Sequence, residues 1–287
     1  MFTTAINRNE DELVGAFSLD TLRQSAAERP DRSARDCEAL NERFTCYFEP
    51  IYRRQGQQFV PAGQKAFVVP KDDSKPDFYE PDELSAYGGM TLFRALESGV
   101  SQIDVIACQL DAFAAEFRDN DKLCFEVSAE DLSANPENMM TLRGLIEEAA
   151  DKGIPPSSFV LELSSVSDVD RGDLYSVASE LRAMQVHIAL TGVSPDCLSL
   201  QRIQQIQPLA VKFTNEWCDQ ARIDPGFTRV TKSVIDIMHA MNRYSCFIGV
   251  RSAEDLAFVH ECGFIRCQGP YFGSPKPEIS RGAVYAV

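Results

Sequence analysis

The chain of 287 residues carries 43 Asp and Glu against 28 Lys and Arg, which gives a formal net charge of −15. A surface this acidic repels phosphate backbones and anionic lipid, which disfavours nonspecific binding to nucleic acid or to a membrane but leaves room for a local basic pocket that binds a small anion. The hydrophobic fraction of 44% and the charged fraction of 25% are typical of a globular protein with a large core. No apolar run approaches the roughly 20 residues that cross a bilayer. Acidic residues stand where a signal peptide has its apolar stretch, so the sequence predicts a cytoplasmic protein.

The nine cysteines include no C-x-x-C pair and mostly lie in apolar surroundings, such as FTCYF and KLCFEV. Without a secretory signal, reduced thiols in the core are expected rather than disulfides or zinc ligands. The histidines His187, His239 and His260 lack the spacing of a zinc site. We therefore expect packing or surface roles for these residues and no metal bound by them.

In chain order, the first 34 residues predict a helical extension. Asn9 can cap a helix to about Ala27, whose apolar side carries Val14, Phe17 and Leu22. The polar stretch RPDRSARD ends this pattern, and CEALNERF predicts a second helix. Two strands follow, TCYFEPIY and QFVPAGQKAFVV, and the short glycine-bearing turn RRQGQ between them predicts an antiparallel hairpin.

After the polar loop KDDSKPDFYEPDE, helices alternate with short apolar strands. Helices are predicted at about 91–117, 137–152, 172–184 and 228–242, and in SLQRIQQI and AEDLAFVHECG. The strands that follow them are LCFEVS, FVLELS, VHIALTG, LAVKF, CFIGV and FIRCQG. Such an alternation indicates parallel strands buried on both faces. With the hairpin there are about eight strands, enough to close a barrel in a single domain.

Several segments resemble, in order, those of the EAL-domain family of cyclic-di-GMP phosphodiesterases. CYFEPIY resembles its "yyQPI" strand, VLELSS its "lEitE" strand and MQVHIALTG its "Gv.ialDDFG" strand and loop. LAVKFTNEW, CFIGVRS and CQGPYFGSPKP resemble "vdyiKiDrsfi", "vvAEGVE" and "QGylfskPlp". The resemblance implies a TIM-like (β/α)8 barrel of the EAL type with one antiparallel strand. It divides the chain into the helical extension at 1–34 and a barrel domain at 35–287.

The resemblance also implies a site at the carboxyl ends of the strands, where the family binds cyclic-di-GMP and two magnesium or manganese ions. This chain departs from that pattern. Lys65 replaces the glutamate of Glu-Ala-Leu, and Glu126 replaces an asparagine ligand. Non-ligating residues replace the further carboxylates, namely Ser165, Thr191, Gly192, Thr214, Ile248 and Arg251. Two nucleotide contacts become Glu49 and Val69, whereas Glu162, Lys212, Gln268 and Gly269 are kept.

Among the acidic ligands of the family pattern, Glu162 alone remains. Magnesium demands near-octahedral oxygen ligation, so the resemblance implies a degenerate member that binds no metal cofactor and does not hydrolyse the dinucleotide. Two buried carboxylates would repel each other without the metals. We hypothesise that the Lys65 ammonium, with Lys212, lies between Glu126 and Glu162. The alternative is that Lys65 is a tolerated substitution.

Two functions remain open at this point. The first is a catalytically inactive regulatory domain that acts through an unidentified protein partner in bacterial signalling. The second is a cyclic-di-GMP receptor that does not hydrolyse its ligand; Lys65 and Lys212 would attract the dinucleotide, and Glu49 would repel it. An active enzyme with a rebuilt site is a third alternative. The loop TGVSPDCLSL differs from the family's aspartate-rich loop, which puts dimers of the family type in doubt.

Overall fold

A computed structural model of the chain describes residues 42–70, 101–164, 166, 169–281 and 283–286. The predicted helix from Asn9 to Ala27, most of the CEALNERF helix and the KDDSKPDFYEPDE loop lie outside the described residues. The division at residue 34 therefore stays a prediction.

The first two strands form the predicted hairpin. β1 (Phe44–Gln55) and β2 (Gln58–Pro70) pair antiparallel along their whole length, with one irregularity beside Ile51 and Tyr52. Gly56 in the turn has a φ of +65°, a conformation that glycine adopts without steric cost. The glycine of RRQGQ thus marks the turn.

Six short strands continue the sheet. They are β3 (Leu123–Ser128), β4 (Phe159–Ser164), β5 (His187–Val193), β6 (Ala210–Phe213), β7 (Tyr244–Ile248) and β8 (Arg266–Gln268). Strands β2 to β8 run parallel, and β1 pairs antiparallel with both β2 and β8, which closes a barrel of eight strands. The predicted barrel with one antiparallel strand is confirmed. A ninth strand, β9 (Tyr285–Ala286), pairs antiparallel with the start of β2 outside the barrel and was not predicted.

Helices surround the barrel. They are α1 (Gln102–Glu116), α2 (Ala129–Ala134), α3 (Pro136–Asp151), α4 (Arg171–Ala183), α5 (Leu200–Ile206), α6 (Glu216–Ile223), α7 (Phe227–Ala240) and α8 (Ala253–Cys262). Short 3₁₀ turns lie at Pro156–Ser158 and Pro270–Phe272. Helices α2 and α6 were not predicted, because one or two turns are too short for a helical period to register. None of the helices described is long and apolar enough to cross a membrane.

The predicted helix at 91–117 is wrong at Ser101. This residue has extended backbone angles, its hydroxyl accepts from the Asp104 amide at 3.2 Å, and the Asp104 carboxylate accepts from the Ser101 amide at 3.3 Å. Such a reciprocal pair is a capping box, which starts a helix. The local hydrogen bonds therefore begin α1 at Gln102, and residues 91–100 lie outside the described part of the chain.

Side chains alternate between the inside and the outside of the barrel. Large outward side chains, such as Phe125, Leu161 and Phe213, join the helices in the main core. Inside, small and medium side chains from different strands form one layer, here called the middle layer: Ile51, Cys124, Val160, Ala189, Ala210 and Cys246. This layer separates the two ends of the barrel interior. Among the eight described cysteines, none is in a disulfide; seven are buried and Cys197 is exposed.

The capping box generates a stability prediction. Replacing Ser101 with Ala removes an acceptor for an orphan amide at the start of α1, so the free energy of unfolding should fall by about 1 kcal/mol. Urea denaturation measures this change. Ser101→Asn, which keeps a capping side chain, is the matched control and should stay within a few tenths of a kcal/mol of the wild type. Equal losses in both variants would refute the assignment.

Candidate functional site

The mouth of the barrel lies at the carboxyl ends of the parallel strands, one step beyond the middle layer. Because side chains alternate, the residues two positions beyond this layer also point inward. Six strands place a polar side chain there: Glu49, Lys65, Glu126, Glu162, Lys212 and Gln268. Five of the six are buried, and Glu126 is half-buried.

The Glu162 carboxylate is at the centre of this cluster and is 1% exposed. Its Oε2 accepts from the Lys65 ammonium at 2.6 Å, and its Oε1 accepts from the Lys212 ammonium. The Lys65 nitrogen also lies 3.4 Å from Glu126 Oε2. The structure thus has the Lys65 ammonium between the two glutamates, as the family resemblance implies, whereas Lys212 pairs with Glu162 and not with Glu126.

The network continues across the barrel from Lys212. Its ammonium donates to Gln268 Oε1 at 2.6 Å, and Gln268 Nε2 donates to Glu49 Oε2, also at 2.6 Å. A continuous chain of hydrogen bonds therefore runs from Glu126 to Glu49. Its two lysines and three glutamates give a formal charge of −1, since two positive charges meet three negative ones.

Burial and the neighbouring charges have opposite effects on the pKa values of Glu162, Lys65 and Lys212. Burial alone would raise the pKa of Glu162, but the Lys212 and Lys65 ammonium groups lower it to about 2. Burial alone would lower the pKa of both lysines, and the Glu162 carboxylate raises each of them above the usual value. All three groups are therefore ionised at neutral pH, so both buried ion pairs are present.

Other predicted site residues lie at the mouth without joining the network. No hydrogen bond links Thr191 to these side chains in the described structure, and the neighbouring Gly192 is exposed. The Thr214 hydroxyl is buried without a hydrogen-bond partner among the described residues. Val69 packs with Phe67 and Tyr47, so the mouth above Lys65 is apolar. Ser165 lies outside the described residues.

Arg251 takes part in a separate network on the outside of the barrel. Its amide donates to Asp255 Oδ2 at 2.7 Å, and its guanidinium donates to Asp219 Oδ1 at 2.7 Å. Asp255 is fully buried and also accepts from Arg222 and from the Cys218 thiol. Burial alone would raise the pKa of Asp255, but the Arg251 amide, the thiol and the two guanidinium groups lower it.

The Asp255 network was missed from the sequence. Its signal is the helix start Ser252-x-x-Asp255, a capping pattern whose hydroxyl accepts from the Asp255 amide at 3.2 Å. The pattern predicts a helix terminus, but it does not reveal that α6 supplies Arg222 and Cys218. Arg251 therefore joins α6 to α8 through Asp219 and Asp255.

The family model described as "EAL domain" matches residues 35–275. The chain belongs to the EAL domain family. This confirms the family resemblance, and the barrel described above has the fold that the resemblance implies. No curated protein sequence matches the chain.

Solved structures with this fold include the YkuI protein of Bacillus subtilis, with a TM-score of 0.65 and 18% identity over 85% of this chain. The match spans 58% of the YkuI chain, which is described as an EAL-domain protein in complex with c-di-GMP and calcium. The FimX EAL domain from Pseudomonas aeruginosa, bound to c-di-GMP, has a TM-score of 0.63 and 18% identity over 85% of this chain and 96% of its own. The PaMucR phosphodiesterase has a TM-score of 0.65 and 16% identity over 90% and 97%. At these identities the likeness establishes the fold alone.

A pair of divalent cations at the mouth of this EAL domain would need several oxygen ligands that converge from different strands. Here both oxygens of Glu162 accept from ammonium groups, which cannot coordinate a cation while protonated. Within the described ranges, no three His, Cys, Asp or Glu side chains cluster closely enough to hold a metal ion. The residues of the mouth do not fit a pair of metals.

The central position of Glu162 generates a stability prediction. Glu162→Gln should lower the free energy of unfolding at pH 7 by about 3 kcal/mol or more, because two buried ammonium groups lose their carboxylate. Chemical denaturation monitored by circular dichroism measures the loss. Glu126→Gln is the matched control; its longer, partly exposed pair predicts a loss below about 1 kcal/mol. Similar losses in both variants would contradict the central role of Glu162.

The pKa of Glu162 also predicts a pH dependence. Its folded-state pKa of about 2 lies below the usual 4.5, so the stabilisation is fully present above pH 4.5 and is lost as the pH falls towards 2. Between pH 5 and about 2.5, the wild type should therefore lose more stability than Glu162→Gln, in which this titration is absent. Denaturation curves at each pH measure the difference. Parallel pH profiles for the two proteins would show that the carboxylate titrates normally.

Proposed function

We propose that this EAL domain is a catalytically inactive regulatory domain in cyclic-di-GMP signalling that acts by binding another protein. The observation that carries the proposal is the Glu162 carboxylate held between the Lys65 and Lys212 ammonium groups. Hydrolysis in this family uses paired divalent metals that activate a water molecule. Half of the positive charge that two such metals would carry is supplied here by the two ammonium groups, which contact the carboxylate directly.

The energetics of the mouth support inactivity. A divalent cation at Glu162 would have to displace two ammonium groups from its carboxylate oxygens and then lie next to them. The repulsion between a metal ion and a buried ammonium a few ångströms away is large, because a protein interior screens charge poorly. Displacing the lysines would leave them buried without a counter-ion, which is also costly. Both costs oppose metal binding and the water activation that depends on it.

The charge balance of the mouth favours a protein partner over the dinucleotide. Lys65 and Lys212 could attract phosphates, but Glu162 already pairs with both of them and Glu126 pairs with Lys65. The position that the family uses for a phosphate-binding arginine is Val69, which packs on Phe67. An anionic ligand would therefore meet a net negative site beside an apolar wall.

The outer surface has features that suit a protein partner. Large apolar side chains are exposed at the end of α6 and along α7: Ile223 at 78%, Val230 at 50% and Ile237 at 40%. Val230 and Ile237 are seven residues apart and lie on the same side of α7, because seven residues make nearly two helical turns. Contiguous apolar surface marks protein contacts, and we propose this side of α7 as the place where a partner docks.

A receptor that binds cyclic-di-GMP without hydrolysing it is the second candidate. The observation that favours it is the fold match to the FimX EAL domain, which is described as bound to c-di-GMP. In such a receptor, Lys65 or Lys212 would leave Glu162 to contact a phosphate. The two candidates thus differ in whether the lysines exchange partners.

An activity assay tests inactivity. Purified protein incubated with cyclic-di-GMP and magnesium or manganese should yield no linear dinucleotide by chromatography, whereas the PaMucR phosphodiesterase serves as the positive control. Lys65→Glu should not gain activity either, because one restored carboxylate still leaves Thr191 and Gly192 where the family has aspartates. Linear product from the wild type would overturn the proposal.

Calorimetric titration with cyclic-di-GMP, with and without magnesium, separates the two candidates. We expect no saturable heat, since the lysines are already neutralised. Micromolar binding without metal that Lys212→Met abolishes would establish the receptor instead. Lys152→Met, which removes an equal charge from the outer surface, controls for general electrostatics.

A further inference from the structure

One edge of β2 has an uncovered stretch near the end of the barrel opposite the mouth. β3 pairs with this edge at Gln64 and Lys65, and β9 pairs with it at Gln58 and Phe59. Between these two pairings, residues 60–63 have no strand partner on this edge in the described structure. An uncovered edge presents backbone N–H and C=O groups to whatever lies beside it. The gap between β3 and β9 is therefore a polar surface.

The uncovered stretch also contains a β-bulge. Ile51 of β1 is paired with Gly63 of β2. The next residue of β1, Tyr52, is paired with Pro61, so Ala62 is an extra residue in β2. Bulges bend a strand and occur preferentially at sheet edges and next to functional sites. This one marks the gap as a place to look for a ligand.

A cavity of about 190 Å³ lies in the gap. Its walls are residues 61–64 of β2, residues 120–122 before β3, and Ser280 and Arg281 of the segment that leads to β9. A space of this size holds several water molecules or one small organic molecule.

Hydrogen bonds join the three segments that form the walls. Gln64 Nε2 donates to the Ser280 carbonyl at 2.7 Å, and the Gln64 amide donates to the Lys122 carbonyl at 2.8 Å. The Arg281 guanidinium donates to the Glu116 carbonyl at the end of α1 at 2.7 Å. A ligand would thus enter a preformed site, which lowers the entropic cost of binding.

Gln64 supplies an acceptor that has no donor. The residue is 4% exposed, and its Oε1 is buried without a hydrogen-bond partner among the described residues. A buried amide oxygen that is left unpaired destabilises the folded protein, so an unpaired one calls for an explanation. Because Gln64 lines the cavity, a ligand with an N–H or O–H group can supply the missing donor.

The charged residues of the cavity wall leave one positive charge uncompensated. Arg281 pairs with Asp121 at 2.6 Å. None of the ion pairs of the described residues includes Lys122, so two positive charges and one negative charge give the wall a formal charge of +1. The Lys122 ammonium donates to the Ser157 carbonyl at 2.8 Å, which leaves two of its three hydrogens for a ligand. A carboxylate, with a single negative charge, matches this balance.

We propose that the cavity binds a small carboxylic acid that carries a hydroxyl or an amino group on the carbon next to its carboxylate. The carboxylate pairs with the Lys122 ammonium, and the hydroxyl or amino group donates to Gln64 Oε1. Either group meets the same requirement, since each provides a hydrogen for the buried oxygen. The site lies away from the mouth and goes beyond the function proposed for this domain.

An NMR titration of the full chain with lactate, alanine and propionate tests the proposal through the side-chain amide resonances of Gln64. The three acids share a carbon skeleton, and propionate lacks the donor. We expect lactate, alanine or both to shift these resonances to saturation. Propionate should bind at least about tenfold more weakly, because it leaves Oε1 unpaired. Saturation by lactate alone would identify a hydroxy acid, and saturation by alanine alone an amino acid.

Two variants test the two contacts. Lys122→Met keeps the length of the side chain but removes its charge, so it should weaken binding about tenfold. Lys232→Met, an equal charge change on the exposed surface of α7, is the matched control and should bind as the wild type does. Gln64→Met should remove the preference for lactate or alanine over propionate, measured by calorimetry. If Gln64→Met does not fold, the comparison of the acids on the wild type tests the same contact.

Three results would overturn the proposal. They are no saturable shift with either lactate or alanine, equal affinity for propionate, and equal losses of affinity in Lys122→Met and Lys232→Met. None of these measurements involves the mouth or cyclic-di-GMP, so failure here is distinct from failure of the proposed function.

Discussion

The mouth of the barrel depends on one ionic contact, the Glu162 carboxylate between two lysines. A carboxylate that is 1% exposed cannot stay ionised in a protein interior without a counter-charge. The two ammonium groups provide it, and each then uses its remaining hydrogens on another strand. Lys65 reaches Glu126, and Lys212 reaches Gln268. The single pair of contacts at Glu162 therefore fixes the position of every other polar group in the network.

The layer below the network at the mouth is uncharged. Burial raises the pKa of Cys124 to about 12 and that of Cys246 to about 11, so both thiols of the middle layer stay protonated. The charges of Lys212 and Arg266 oppose this rise at both thiols, so the ionic groups inside the barrel act on the middle layer as well as on each other.

The sequence predicted the parts of the structure that follow from the spacing of apolar residues and from the order of strands and helices along the chain. Short apolar strands between amphipathic helices predicted the parallel strands, and the resemblance to the family, combined with the alternation of strand side chains, placed Lys65 beside Glu162. It did not predict the break at Ser101, because a capping hydroxyl reads as an ordinary serine within a helical stretch. It also missed the link from Gln268 to Glu49, which joins residues 219 positions apart through the closure of β8 on β1.

The direction of side chains in the last part of β1 escaped prediction for a related reason. Arg53 lies next to the irregularity at Ile51 and Tyr52, where the register of β1 with β2 shifts. A shift of one residue turns a side chain to the other face of a sheet, so the direction of Arg53 requires the pairing itself. The pairing of Arg53 with Arg266 likewise depends on which strands meet when the barrel closes. Sequence order cannot supply either fact.

Two basic residues near the carboxyl ends of strands, Lys65 and Arg251, have different roles, and the local structure explains the difference. Lys65 lies on a strand whose side chains alternate into the barrel, so its charge stays inside and meets Glu162. Arg251 lies after the end of β7, where the chain turns outward into α8, so its charge pairs outside the barrel with the half-buried Asp219 and the buried Asp255. Buried ion pairs are seldom more stabilising than apolar side chains of the same volume. Stability alone therefore does not account for a charged mouth, and the physical effect of the network is to hold strands β1, β2, β3, β4, β6 and β8 at fixed positions around one carboxylate.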